Sequence, residues 1–105
     1  MNKSAKGQRY EREARHLLED DGYLTEFKIR SRYASNDFFK MFDVLAIKGN
    51  EVRLIQVKTN ASDFYKARKE IAEWILDNNF EKSTTKFEVW LREPRKDWRK
   101  EIINP

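Results

Sequence analysis

The feature that most constrains the fold is a pair of apolar runs around a Gly-Asn turn, "FDVLAIKGNEVRLIQVKTN", at residues 42–60. A Gly-Asn dipeptide between two apolar runs is typical of a tight β-hairpin. A turn centred on this dipeptide pairs Leu45 with Leu54. The same register sets Asp43 opposite Gln56, so the hairpin brings polar groups together near its open end.

Three polar side chains interrupt this apolar hairpin. Because side chains alternate along a strand, Gln56 and Lys58 point to one face, beside Asp43. Burying a neutral polar group without a partner costs roughly 2–7 kcal/mol, and a charge costs more. One interpretation is a buried Asp43–Lys58 ion pair with a hydrogen-bonded amide. The other is a metal site, with Asp43 and the Gln56 amide oxygen as hard ligands and Lys58 beside the reacting oxygen.

A metal ion needs more negative charge than one aspartate supplies, so a second carboxylate should come from elsewhere. The predicted first helix, residues 4–21, offers Glu11 and Glu13. These glutamates border the two edges of the helix's apolar stripe, and helical geometry barely separates them. The ordinary alternative for either is a solvated surface glutamate.

Periodicity and turn residues predict the order helix, three strands, helix, strand. The predicted elements are a helix at 4–21, strands at 23–30, 38–47 and 52–59, a helix at 63–79 and a strand at 87–91. Gly22 is the predicted stop of the first helix. Residues 98–103 form either a last edge strand or a docking tail. This order predicts an α/β fold with a mixed sheet covered by helices.

Composition restricts the class of protein. A length of 105 residues suits one domain, so residues 1–105 are interpreted as a single unit. With no cysteine, disulfides, thiolate metal sites and cysteine nucleophiles are excluded. The net charge of +4 favours a polyanionic partner, nucleic acid first and an acidic membrane surface second. No apolar signal segment or bilayer-spanning run is found, so we expect a soluble intracellular (cytoplasmic) protein with no membrane partner.

Three segments in this order, "KGQRYERE", "FDVLAI" and "LIQVKT", resemble the PD-(D/E)xK nuclease superfamily. Their arrangement is most similar to the archaeal Holliday-junction resolvases and covers residues 6–60. The resemblance implies a restriction-endonuclease-like αβββαβ core, and it selects Glu11 over Glu13. The implied catalytic residues are Glu11, Asp43, Gln56 and Lys58. Phe42 replaces the proline that names the motif, and Gln56 stands where an acid is usual.

The resemblance implies Mg²⁺-dependent hydrolysis of DNA phosphodiester bonds, with Mn²⁺ as a substitute and no small-molecule cofactor. The implied metal ligands are Glu11, Asp43, the Gln56 amide oxygen and the backbone carbonyl of Val57. Lys58 would orient the attacking water or neutralise charge on the phosphate. Because junction resolution needs two symmetric cuts, we expect a homodimer acting on branched DNA.

Basic residues near this site are the first candidates for DNA contact. They are Lys6, Arg9, Arg30, Arg32 and Lys40. A second group near the C-terminus is equally consistent with DNA contact and with a solvated basic face; it comprises Arg92, Arg95, Lys96, Arg99 and Lys100. Two alternatives to the nuclease stay open: a catalytically inactive nuclease-fold DNA-binding domain, with Gln56 as the disabling change, and an interaction module with a structural Asp43–Lys58 pair.

Overall fold

The computed structural model of the chain describes residues 3–27, 38, 39 and 41–105. Its elements are α1 (Lys3–Asp20), β1 (Leu24–Phe27), β2 (Val44–Lys48), β3 (Glu51–Lys58), α2 (Ala61–Asp77), β4 (Lys86–Leu91) and β5 (Arg99–Ile102). The strands form one sheet in the order β1-β2-β3-β4-β5. Neighbouring strands are antiparallel, except that β3 and β4 are parallel. The predicted mixed α/β sheet is therefore confirmed, and the C-terminal segment forms an edge strand.

A glycine ends the first helix, and a capping asparagine begins the second. Gly22 follows α1 with a φ of 96°, and the Tyr23 amide donates to the Leu18 carbonyl at 3.0 Å. This bond pattern ends a helix, and glycine accepts the positive φ because it has no Cβ. Asn60 caps α2, since its side-chain oxygen accepts the Asp63 amide at 2.9 Å. The cap explains why α2 starts two residues before its predicted beginning.

Two apolar layers cover the sheet, one on each face. The layer formed with α1 contains Tyr10, Ala14, Leu18, Tyr23, Val44, Ala46, Ile55, Val57 and Trp90. The layer formed with α2 contains Phe42, Leu54, Phe64, Ala67, Ile71, Ile75, Phe87, Val89 and Leu91. Alternate residues of β3 enter opposite layers, so both faces of this central strand are covered.

The hairpin register is as predicted, because Leu45 pairs with Leu54 in the β2–β3 ladder. The predicted extent of its first strand is wrong, since β2 begins at Val44 and not at residue 38. Phe38 and Phe42 instead exchange two backbone hydrogen bonds of 2.9 Å, which close a local turn before the strand. Of the predicted strand at 23–30, residues 28–30 lie outside the described part of the chain.

A charged pair that the sequence did not reveal lies in the α1-side layer. Arg53 donates from Nε and Nη2 to the two carboxylate oxygens of Glu88, at 2.6 and 2.8 Å. Trp90 Nε1 donates to the same carboxylate at 3.0 Å, and the Arg53 guanidinium lies 5.0 Å from the Tyr23 ring centroid. The hydrogen bonds to Glu88 raise the pKa of Arg53 above its usual value. Arg53 therefore remains charged and compensates the buried carboxylate.

Candidate active site

Gln56 and Lys58 lie at the carboxyl end of β3. Ile55 and Val57, which alternate with them, pack in the layer under α1. Gln56 and Lys58 consequently share the opposite face of the sheet, and both are partly buried. Because β4 runs parallel beside β3, the carboxyl ends of the two strands meet at one edge of the sheet. Crevices at this edge are the usual ligand sites of α/β folds.

Asp43 directly precedes β2 and is buried, with 6% of its surface exposed. Its carboxylate Oδ2 accepts the Val57 amide at 2.8 Å, and its own amide donates to the Ile55 carbonyl at 2.9 Å. The regular β2–β3 ladder ends one residue later, at the pair Val44–Ile55. The carboxylate is therefore fixed against the backbone between Gln56 and Lys58, outside the regular cross-strand pairing that the register predicted.

The structure does not contain the ion pair that the sequence left open. Among the residues that it describes, no carboxylate lies within 4.0 Å of the Lys58 ammonium, so Lys58 and Asp43 form no direct pair. Asp43 instead bonds to a backbone amide. A purely structural Asp43–Lys58 pair consequently does not explain why a lysine stands in this partly buried position.

The Gln56 side-chain oxygen is buried without a hydrogen-bond donor. Within the described ranges, Glu101 Oε2 shares this property, but it lies 2.7 Å from Arg68 Nε. Buried polar atoms are bonded in the great majority of cases, and an exception indicates a water, an ion or a functional role. A hard amide oxygen in this position suits a cation such as Mg²⁺.

The two glutamates of α1 have different surroundings. Glu11 is buried, with 9% of its surface exposed. Glu13 is more exposed, and its Oε1 accepts from Arg92 Nε at 3.2 Å and from Trp98 Nε1 at 3.0 Å. These bonds hold the Glu13 carboxylate against the segment after β4. The two glutamates therefore differ in burial, and Glu11 stays the candidate ligand that the resemblance selects.

The donor set fits a hard divalent cation. In the described part of the chain, no three His, Cys, Asp or Glu side chains lie together as a metal-binding group. Asp43 and Gln56 lie at the carboxyl end of β3, whereas Glu11 belongs to α1, which covers the face of the sheet opposite to Gln56 and Lys58. Carboxylate, amide and backbone carbonyl oxygens are the ligands that Mg²⁺ and Mn²⁺ prefer.

The predicted DNA contacts are described only in part. Lys6 Nζ and the Arg9 guanidinium lie 6.0 and 5.0 Å from the ring centroid of buried Tyr10. The Arg92 guanidinium, 5.6 Å away, is a third cation around the same ring. The remaining three predicted contacts, Arg30, Arg32 and Lys40, lie outside the described residues.

Comparison with known proteins bears on the family and the fold. Residues 2–104 match the family model described as archaeal Holliday junction resolvase (Hjc). A 1.6 Å structure of Archaeoglobus fulgidus Hjc, a Holliday junction resolvase from a hyperthermophile, superposes with a TM-score of 0.58 at 22% identity. The match covers 93% of this chain and 73% of that one. A search of curated protein sequences gives no match.

The family match covers nearly the whole chain, including all five strands of the sheet. No helix in the described ranges has the length and apolar character needed to cross a bilayer. The chain belongs to the archaeal Holliday junction resolvase family, which has a PD-(D/E)xK-type fold and consists of structure-selective DNA nucleases.

Proposed function

We propose that this nuclease hydrolyses DNA at branch points by a Mg²⁺-dependent reaction at the edge formed by β3 and β4. The ligands would be the carboxylates of Glu11 and Asp43, the Gln56 amide oxygen and the Val57 carbonyl. A divalent ion bound there would polarise the scissile phosphate and lower the pKa of a water molecule. Mn²⁺ would support the same reaction, since it favours the same oxygen ligands.

The observation that carries this proposal is the unpartnered oxygen of Gln56. A glutamine selected only for stability would place its buried oxygen against a donor, because a missing hydrogen bond costs about 1–3 kcal/mol. A cation would compensate for this loss. The amide supplies the oxygen without the negative charge of an acid, so we expect weaker metal binding than with a glutamate in this position.

Residues of the protein would position the metal ligand, the phosphate and the DNA backbone. The bond from the Val57 amide holds the Asp43 carboxylate in one orientation, which reduces the reorganisation needed to bind a ligand. The Lys58 ammonium, which has no described carboxylate within 4.0 Å, would donate to the phosphate oxygen on which charge develops. Lys6 and Arg9 would contact the DNA backbone beside Glu11.

We further propose that the working unit is a homodimer. A four-way junction is resolved by two cuts related by approximate two-fold symmetry, and each chain carries one candidate site. Sedimentation of the protein with and without a four-way junction would measure the stoichiometry. A single chain bound per junction would contradict the dimer and would leave the chemistry of each site unchanged.

The test of the proposed function compares a labelled four-way junction, a matched duplex and a single strand, each with Mg²⁺, Mn²⁺ or EDTA. We expect metal-dependent cleavage of the junction, lowered about 10²–10³-fold by Lys58→Ala because one transition-state donor is lost. Lys66→Ala is the matched control, since the Lys66 side chain is 75% exposed on α2. Tight junction binding without cleavage would support an inactive DNA-binding domain instead.

A second variant separates catalysis from folding at Asp43. Alanine would remove the acceptor of the Val57 amide and destabilise the hairpin in either case. Asp43→Asn keeps a side-chain oxygen for this amide but removes the charge. We expect a folded variant with weak Mn²⁺ binding and no cleavage. Unchanged Mn²⁺ affinity would exclude Asp43 as a ligand.

A further inference from the structure

Arg92 follows β4 and joins three parts of the fold. Its backbone amide donates to the Lys58 carbonyl at 3.0 Å. Its side-chain Nε donates to Glu13 of α1 at 3.2 Å. Its Nη1 donates to the carbonyls of Glu93, at 2.8 Å, and Lys96. One residue therefore links the end of β3, the first helix and the loop after β4.

Trp98 strengthens the link to α1. Its Nε1 donates to the same Glu13 oxygen that accepts Arg92, at 3.0 Å, and its ring packs edge-on against Tyr10 at 6.4 Å. We call Glu13, Arg92 and Trp98 the helix clamp. The clamp holds the α1 segment that contains Tyr10 and Glu13, and Glu11 lies between these two residues.

We propose that Arg92 is a positioning residue that fixes Glu11 relative to Lys58; this inference rests on the proposed function. Glu11 belongs to α1 and Lys58 to β3, and the two elements otherwise meet through the apolar layer around Ile55 and Val57. Apolar contacts are non-directional, whereas hydrogen bonds to both elements define one geometry. Mg²⁺ demands near-ideal octahedral coordination, so a small displacement of one ligand lowers its affinity.

The contacts of Arg92 also distinguish it from the cations expected to bind DNA. Its Nε and Nη1 already donate to protein oxygens. Lys6 and Arg9, by comparison, extend from the first two turns of α1, and Arg9 is exposed. Loss of Arg92 should therefore affect metal binding and the rate at saturating DNA more than it affects DNA affinity.

The main variant is Arg92→Gln, and Lys82→Gln is its control because Lys82 is exposed in the turn between α2 and β4. Four quantities are measured: the melting temperature, junction affinity in EDTA, Mn²⁺ affinity by electron paramagnetic resonance, and the single-turnover rate at saturating junction. For Arg92→Gln we expect Mn²⁺ affinity and rate to fall about 10–100-fold, as for other residues that orient metal ligands. Junction affinity in EDTA should match that of the control.

Arg92→Lys provides the decisive comparison if the glutamine variant does not fold. Lysine keeps the positive charge near Tyr10, but one ammonium cannot reproduce the planar fork that reaches Glu13 and two carbonyls. We expect the same losses of rate and Mn²⁺ affinity without a change in net charge. Wild-type values for this variant, or a defect confined to junction affinity, would overturn the positioning role. A wild-type protein that neither binds Mn²⁺ nor cuts any substrate would instead overturn the proposed function.

Discussion

Arg53→Met should destabilise the fold by an amount that depends strongly on pH. In the wild-type protein Arg53 donates two hydrogen bonds to Glu88, whose side chain is only 2% exposed. Methionine retains an apolar stem of similar length but leaves the carboxylate without its cation. Breaking a buried pair by removing one partner costs about 3–5 kcal/mol when the other charge stays buried.

Proton uptake sets an upper limit to this loss, because a buried carboxylate can be neutralised instead of remaining charged. At pH 7 this uptake costs an ordinary glutamate about 3.7 kcal/mol, since each pH unit above its titration midpoint near 4.3 adds about 1.4 kcal/mol. At pH 5 the cost is about 1 kcal/mol. The folded variant then binds a proton that the unfolded chain lacks, so its stability falls as the pH rises.

Urea unfolding followed by circular dichroism at pH 5, 6 and 7 measures this dependence. We expect Arg53→Met to lower the free energy of unfolding more at pH 7 than at pH 5, by up to about 2.7 kcal/mol, which is the difference between the two costs of proton uptake. The double variant Arg53→Met/Glu88→Leu is the control, because without a carboxyl group its loss should not change with pH. An equal loss for the single variant at pH 5 and pH 7 would show that no proton is taken up by the folded variant when Arg53 is removed.

Three further predictions concern the site and the helix and strand ends. Gln56→Glu should strengthen Mn²⁺ binding about tenfold or more, since a charged ligand replaces a neutral one; calorimetry showing no gain would exclude this position as a ligand. Gly22→Ala should lower the free energy of unfolding by about 1–2 kcal/mol, because φ is 96° and a Cβ would lie 3.3 Å from Lys48 Cε; an unchanged urea midpoint would contradict this. The hydrogen bond from Lys86 lowers the pKa of Glu51 below its usual 4.5, so its stabilisation is present above pH 4.5 and lost on further acidification. Glu51→Gln should therefore reduce the fall in melting temperature below pH 4.5, and a parallel fall in both proteins would argue against the pair.

The features of the fold that were predicted correctly from the sequence are those determined by residues close together in the chain. The Gly-Asn turn fixed the register of Leu45 and Leu54, and Gly22 marked the end of α1. The turn closed by Phe38 and Phe42 was missed, because two aromatic residues in an apolar run favour a strand unless a backbone bridge competes with it.

Long-range polar contacts could not be predicted in the same way. The sequence gives a visible signal for Glu88, a carboxylate inside the strand "FEVWL", and for Arg53 inside an apolar run. These signals indicate that each residue needs a partner but do not identify it. Arg92 carries no comparable signal, since its role arises only when Glu13, 79 residues away, is brought beside it. Glu11 was selected by family resemblance, and its burial is consistent with that selection.

Two hydrogen bonds near the candidate site close chain loops of very different length. The bond between Asp43 and the Val57 amide spans 14 residues and belongs to a local hairpin, whereas the bond between Glu13 and Arg92 spans 79. Closing the longer loop costs about 1.5 kcal/mol more in chain entropy. The hairpin side should therefore assemble early in folding and the helix clamp late. In native-state hydrogen exchange, α1 and the segment after β4 would open together and separate Glu11 from Lys58 while Asp43 remains in place.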